Sequence, residues 1–368
     1  MSSNIKYLSY LNSYYKIYKI GSGTRIIKPL DYGFDYNKVR QDIYKILNNI
    51  DYPYIKLFTS SDQIKIRFHN LSNFKCTVIN ETYPIHNIDL TEQQKLFQNN
   101  YELIIDYPDE YDNIEVISDY FNEHCRIKCK FISAKGTVYD YFRNNLNDII
   151  NYLERNKLPV DIKNIREAIW NIGYKECSTF KPKLIKYFIE KFKAKRLLDI
   201  SSGWGDRLIG AMASDIECYH GFDPNPCLHK GYQEMINFFN PKNKNNFIIK
   251  QLPFEKATLN NEYYDMVMSS PPYFTMEIYA DEETQSTYNI NDERFWYDNY
   301  LKIWINKCHK ALKKNGILAL NINQFKNQNY IYWLINDMNN INWKYLGIIS
   351  HSNIHKKNPQ PTFIWSKI

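Results

Sequence analysis

The sequence predicts an α/β fold in its second part, a mostly parallel sheet covered by helices on both faces, preceded by an α+β segment. Three observations carry this. After residue 195, short apolar runs alternate with amphipathic stretches of helical length, which implies right-handed crossovers between parallel strands. Residues 1–120 lack that rhythm and mix short β-type segments with one helical stretch. The last two β segments are joined by the polar loop HSNIHKKNPQPT, which predicts an antiparallel hairpin on the sheet edge.

Each element follows in order. YIKLFTS, QIKIRFHN and KCTVIN read as β-type, and YNKVRQDIYKILNNI as an amphipathic helix ending before Asp51-Tyr52-Pro53. Together they predict an α+β accessory domain over residues 1–135. Residues 136–194 read as a helical connector: TVYDYFRNNLNDIINYLERN, then DIKNIREAIWNIGY, then PKLIKYFIEKFKA, with Pro182 in the first helical turn. Residues 195–368 form the α/β domain. KRLLDIS, ECYHGFD, FIIKQ, YYDMVMSS, GILALNI, YLGIIS and TFIWSK are its strands, and GDRLIGAMAS, PCLHKGYQEMINFF, FWYDNYLKIWINKCHKAL and YIYWLINDMNN its helices.

At 368 residues the chain has length for about two domains and a substantial core. The net charge of +7 lies wholly beyond residue 150 and suits a polyanionic partner. An AT-rich genome would produce the same abundance of Lys, Asn, Ile and Tyr, so charge decides little. The seven cysteines are scattered without paired spacing, and the amino terminus has no apolar signal core. These features predict an intracellular, cytoplasmic protein with reduced thiols. No apolar run approaches the roughly 20 residues of a membrane-spanning helix.

Ligands of open α/β sheets collect at the carboxyl ends of the strands. LLDISSGWGDRL puts Asp199 at such an end, followed by Ser201 and by Gly203 and Gly205, which let backbone approach a ligand closely. The next strand ends in GFDPN. There Asp223, beside Pro224, reads either as an acceptor for a ribose hydroxyl pair or as a helix N-cap. In QLPFEK, Phe254 reads either as an adenine contact or as core.

The fourth strand ends in Ser270-Pro271-Pro272-Tyr273-Phe274. Two prolines fix φ and stiffen the turn. Ser270 Oγ and the Pro271 carbonyl become acceptors suited to a conjugated amine, whose nitrogen they would pyramidalise and whose developing charge they would absorb. Tyr273 and Phe274 read as exposed aromatics, with Tyr273 offering a stacking face to a planar base.

On these residues the sequence resembles the S-adenosylmethionine-dependent amino-methyltransferases with an Asp/Asn/Ser-Pro-Pro-Tyr/Phe motif, chiefly DNA N6-adenine and N4-cytosine enzymes. The resemblance covers about residues 160–368. It implies a Rossmann-like class I methyltransferase fold with a mostly parallel seven-stranded sheet and S-adenosylmethionine as cofactor. DISSGWG would be the methionine-binding loop, Asp223 the ribose ligand and Ser270 to Tyr273 the catalytic loop. STFKP, with Phe180 and Pro182, resembles the motif that encloses the cofactor before the first strand. The string GFDPN, SPPYF, EIY, Gln285-Ser286 resembles a branch associated with large DNA viruses, which implies the host cytoplasm.

Only some 65 residues separate the two loops, which leaves no room there for a target-recognition insert. Specificity would then come from residues 1–150, from loop 274–296 or from a partner, whether another protein or a second copy of the chain. The acidic loop 274–296 reads as a cover over the base, which a duplex would have to flip out. Arg294, Lys356 and Lys357 are the candidate phosphate contacts. RNA adenine or a protein glutamine amide poses the same chemical problem as a DNA base. An inactive methyltransferase fold kept as a binding subunit is the alternative of another class. No metal is expected: His124, Cys125 and Cys129 lack a second Cys/His pair, and His351-Ser352-Asn353-Ile354-His355 lacks a glutamate.

Overall fold

The computed structural model describes residues 15–20, 24–29, 36–57, 59–75, 77–79, 101–106, 114, 116–156, 158, 162–172, 176–280, 282–323, 327–340, 342–353 and 360–368. The chain divides into two compact units, one of residues 1–60 with 123–177 and one of residues 61–122 with 178–368. The boundary drawn from sequence at residue 135 does not coincide with this division.

The first unit is built largely on helices. Tyr36–Asn49 is helical, as its periodicity predicts. The stretch expected as one helix from residue 137 breaks at Asn145, which leaves helical geometry (φ −130°, ψ 37°) and separates Val138–Asn144 from Leu146–Arg155. Thr137 Oγ1 caps the first of these by accepting from the Asp140 amide at 3.1 Å. Leu47, Phe142, Ile149, Ile165 and Ala168 form its buried core. Strands Tyr15–Ile20 and Thr24–Pro29 pair antiparallel.

The second unit holds the large sheet. Its strands are β1 (Thr77–Ile79), β2 (Tyr101–Asp106), β3 (Arg196–Asp199), β4 (Cys218–Phe222), β5 (Phe247–Lys250), β6 (Tyr264–Ser269), β7 (Leu312–Asn321), β8 (Trp343–Asn353) and β9 (Gln360–Lys367). They lie in the order β1-β2-β8-β9-β7-β6-β3-β4-β5. The run from β7 to β5 is parallel throughout, β9 is antiparallel to both neighbours, β8 and β2 are parallel, and β1 closes antiparallel. The sheet is mixed and mostly parallel. The seven expected strands are all present, and two more join from the segment assigned to the accessory domain. The terminal pair is therefore not at the edge: β9 inserts between β7 and β8, and β8 gives its other side to β2.

A second difference concerns QIKIRFHN. Its alternation suggests a strand, yet Ser61–Asn73 is a helix. Ile64, Phe68 and Leu71 share one helical face, with Ile64 and Leu71 fully buried and Phe68 stacked on Phe239 at 4.0 Å. Ile66, the residue that made the pattern look two-fold, is 60% exposed.

The helices that support the site pack closely. Pro182 opens helix Pro182–Phe192 as expected, and Gly210 of helix Asp206–Met212 faces it. A Cβ on Gly210 would collide with Ile185 Cγ2 and lie 2.5 Å from the Pro182 carbonyl oxygen. Gly210→Ala is expected to lower stability by about 1–3 kcal/mol through overpacking. Urea denaturation checks this, and an unchanged midpoint would contradict the close approach of the two helices.

Candidate active site

The carboxyl ends of β3, β4, β6 and β7 converge on one constellation. Asp199, at the end of β3, is fully buried (0% exposed). Its Oδ1 accepts from Ser269 Oγ at 2.8 Å and from the Ser201 amide at 3.2 Å. Its Oδ2 accepts from Tyr219 Oη at 2.7 Å and from Arg207 Nε at 2.8 Å. Three adjacent strands and the following helix are thus tied to a single carboxylate. Burial works against the charge on Arg207, and the Asp199 carboxylate more than offsets this, holding the guanidinium above its usual range. Arg207 also donates to the Ser201 carbonyl and lies 5.0 Å from the Phe180 ring centroid.

The glycine loop has two different glycines. Gly203 has φ +58°, and a Cβ there would meet nothing nearer than 3.8 Å, so its open side can receive a ligand. Gly205 has φ +100°, and its Cβ would press within 2.7 Å of Met235 Sδ, so it serves helix packing. The Gly203 amide donates to Asp223 Oδ2 at 2.8 Å, and the Asn225 amide to Oδ1 at 3.0 Å. Asp223 is not the helix cap. That role falls to Asn225, whose Oδ1 accepts from the Cys227 amide, while Pro224 spans the two, half-buried. Burial pushes the Asp223 carboxyl up to about 6, and Asp206, beneath the loop, likewise to about 6.

Ser201 joins this loop to the Ser-Pro-Pro-Tyr turn. Its Oγ lies 3.0 Å from the Ser270 carbonyl oxygen and 2.9 Å from Ser269 Oγ. Ser270 Oγ lies 2.6 Å from Tyr273 Oη, which in turn sits 2.9 Å from both the backbone oxygen and Oδ1 of Asn321 at the end of β7. Pro271 is buried and Pro272 half-buried, and among the described residues no donor engages the Pro271 carbonyl.

Two expected ligand contacts are core residues. Phe254 is 2% exposed and packs edge-on against Phe222 at 5.3 Å. Phe274 is 6% exposed, takes φ +49° and turns its ring onto Trp296 at 5.5 Å, which corrects its reading as an exposed aromatic. Tyr273 is half-buried and packs against the same core. Arg294 stacks over Tyr297 and Trp333 and donates from Nε and Nη2 to Asp298, so it carries its own counter-charge. Lys356 and Lys357 lie outside the described residues.

STFKP is held over the glycine loop. The Ser178 amide and Oγ both donate to Glu277 Oε1 at 3.0 Å, Trp204 Nε1 donates to the Ser178 carbonyl at 2.9 Å, and the Phe180 amide donates to Asp206 Oδ2 at 3.2 Å. Gln285 folds the following loop on itself, donating to the Glu277 carbonyl and accepting from the Tyr279 amide. Sequence reasoning missed Arg207, Tyr219 and Asn321, and it read Glu277 only as part of the acidic loop, not as the acceptor of Ser178. Arg207 alone left a signal: a cation in the first turn opposes the helix dipole and calls for a partner carboxylate.

Cys129, Cys177, Cys218 and Cys308 are buried and outside any disulfide, whereas Cys125 and Cys227 are disulfide-bonded, which departs from the expectation that every thiol is reduced. Cys129 Sγ points back to the Cys125 carbonyl. Among the described residues no helix is long and apolar enough to cross a membrane.

No protein-family profile matches the chain. Over 78 residues it is 36% identical to the Type II methyltransferase M.MjaVI of Methanocaldococcus jannaschii, a stretch covering 20% of this chain and 36% of that relative. The chain thus spans little more than a third of the relative it matches. Similar solved structures include a tRNA methyltransferase from Aquifex aeolicus, with TM-score 0.34, 13% identity and 52% and 70% of the two chains covered. An S-adenosylmethionine-dependent O-methyltransferase from Thermotoga maritima gives TM-score 0.35, 11% identity and coverage of 57% and 72%. An rRNA methylase from Streptococcus thermophilus gives TM-score 0.35, 11% identity and coverage of 52% and 99%.

Arg207→Met leaves the Asp199 carboxylate buried without its cation and is expected to cost about 3–5 kcal/mol. Adding Asp199→Asn should return part of that loss because the uncompensated charge is gone. Chemical denaturation of the three proteins tests this, and a single variant as stable as the parent would show that the pair is dispensable.

Proposed function

We propose that this chain is an S-adenosylmethionine-dependent methyltransferase that methylates the exocyclic amine of a nucleic-acid base, adenine N6 or cytosine N4, with DNA favoured. The observation that carries the reading is the rigid link between the two loops. Ser201 fastens the Ser-Pro-Pro-Tyr turn to the glycine loop, which supports a site in which Ser270 Oγ and the Pro271 carbonyl, unengaged among the described residues, act together with Gly203 and Asp223. The similarity to a type II methyltransferase supports methyl transfer as the reaction.

The residues fit the cofactor. Gly203 leaves its side open, and each Asp223 oxygen, after accepting one backbone amide, keeps lone-pair capacity for a ribose hydroxyl. Phe180, Pro182 and Trp204 close the methionine end. When bound, S-adenosylmethionine would supply an electrophilic sulfonium methyl to the amine nitrogen, the C–S electron pair staying on sulfur and one N–H proton passing to solvent. Ser270 Oγ and the Pro271 carbonyl accept from the amine hydrogens, which draws the nitrogen lone pair out of conjugation and stabilises positive charge as it develops. Pro272 keeps the turn stiff, and Tyr273 lies against the base. Phosphate contacts fall to Arg294, Lys356 and Lys357.

Purified protein incubated with labelled cofactor and single- and double-stranded DNA and RNA should label nucleic acid, DNA best, and nucleoside mass spectrometry should show N6-methyladenine or N4-methylcytosine. Label found only in RNA or in a protein glutamine would overturn the substrate assignment. Ser270→Ala should lower kcat about a hundredfold, on the scale of removing one preorganised transition-state hydrogen bond, with cofactor binding retained.

Binding of S-adenosylmethionine should weaken as pH falls from 7.5 to 5.5. Asp223, at about 6, then gains a proton and one of its oxygens stops accepting. Calorimetry across this range measures the effect. Asp223→Asn should bind weakly and without that slope, whereas a slope that survives the substitution would assign the titration to Asp206.

A further inference from the structure

A carboxylate or amide oxygen is an acceptor by nature, but a serine hydroxyl is one only if its own proton is directed elsewhere. If the Ser270 proton pointed at the substrate amine, it would bind the nitrogen lone pair that must attack, and the residue would oppose the reaction it is meant to assist. The surroundings of Ser270 decide which way the proton points.

Asn321 comes first. It is buried, and its Nδ2 donates to the Pro361 carbonyl at 3.1 Å and to Thr362 Oγ1 at 3.2 Å, both on β9. Those two acceptors fix the amide, so Oδ1 is the atom turned to Tyr273. Tyr273 Oη therefore faces two oxygens of Asn321 at 2.9 Å, the backbone carbonyl and Oδ1, neither of which can donate. Its single proton must serve them, since withdrawing it would set three oxygen atoms against one another with no hydrogen between. Burial raises the Tyr273 phenol above its ordinary range, so that proton stays in place. The remaining contact, 2.6 Å from Ser270 Oγ to Tyr273 Oη, then has only one donor, which is Ser270.

We propose that Tyr273 and Asn321 are positioning residues that occupy the Ser270 proton and so leave Ser270 Oγ a pure acceptor facing the substrate amine. This rests on the amine-methylation reading of the same turn. The arrangement also gives the C-terminal strand β9 a part in the reaction, because Pro361 and Thr362 orient the amide from which the relay begins. Tyr273 thus has two separable duties, its ring against the base and its hydroxyl on Ser270.

Neutron diffraction from crystals of the deuterated full chain reads the proton directly. Deuterium on Ser270 Oγ along the line to Tyr273 Oη is the expected result, and deuterium turned away from Tyr273 overturns the relay whatever the substrate proves to be. Kinetics tests its effect. Tyr273→Phe keeps the ring and removes the hydroxyl, and should lower kcat about tenfold, the worth of one misdirected hydrogen bond, with cofactor affinity and KM for nucleic acid unchanged. In a Ser270→Ala background the same change should do nothing further, and Asn321→Ala, which removes Oδ1 but keeps the backbone carbonyl that also accepts from Tyr273, should give a smaller loss in the parent and none in the Ser270→Ala background. An equal loss in both backgrounds would mean that the phenol acts independently of Ser270 and would refute the inference. A wild-type protein that methylates no base would instead refute the amine-methylation reading, and the deuterium position would still decide the direction of the hydroxyl.

Discussion

The candidate site depends on the side chain of Asp199 being held in a fully buried place. Moving a carboxylate out of water costs several kcal/mol, and the cost is offset only when its lone pairs are filled with good geometry and a cation lies beside it. Asp199 meets those terms with Ser269, Tyr219, the Ser201 amide and Arg207. Each of these donors sits on a different part of the chain: the end of β6, the beginning of β4, the glycine loop and the first turn of the following helix. The carboxylate therefore acts as a pin through the point where the order of the parallel strands reverses.

The rigidity spreads outward from that pin. Ser269 is followed directly by Ser270, and Ser201 reaches both Ser269 and the Ser270 carbonyl, so fixing Asp199 fixes the entry to the proline turn. The turn ends on Tyr273, which is held by Asn321 of β7, itself held by β9. On the other side the Gly203 amide is committed to Asp223, and Trp204 carries Ser178 and, through it, Glu277. Polar groups placed in this way need little rearrangement when charge develops near them, which is the physical advantage of building such a site on strand ends rather than on free loops.

Much of this was legible in the sequence. The alternation after residue 195 places all seven strands, and the boundaries of Pro226–Phe239 and Tyr330–Asn340 match their apolar periodicity. Asp199, Gly203, Asp223 and the Ser-Pro-Pro-Tyr turn stand out because each residue type has few reasons to occur at a strand end. The misreadings also have physical causes. QIKIRFHN alternates over only a few residues, and in so short a window Ile66 imitates a strand although it faces solvent on a helix. Phe254 and Phe274 follow strand ends and look available, but local sequence does not say whether an aromatic after a turn folds back into the core.

What the sequence determined by itself is the local chemistry: the period of each element, the stiffness of two adjacent prolines, and the acidic, glycine and hydroxyl groups set at the ends of strands. These depend on neighbours within a few residues, where backbone geometry and side-chain type suffice. Tertiary structure alone decided the partners. The placement of β2 beside β8, Arg207 against Asp199, and Asn321 behind Tyr273 are all encounters fixed by how sheet and helices pack. Hydrogen-bond direction belongs to the same class, because the proton on Ser270 is governed by an amide 51 residues away in sequence.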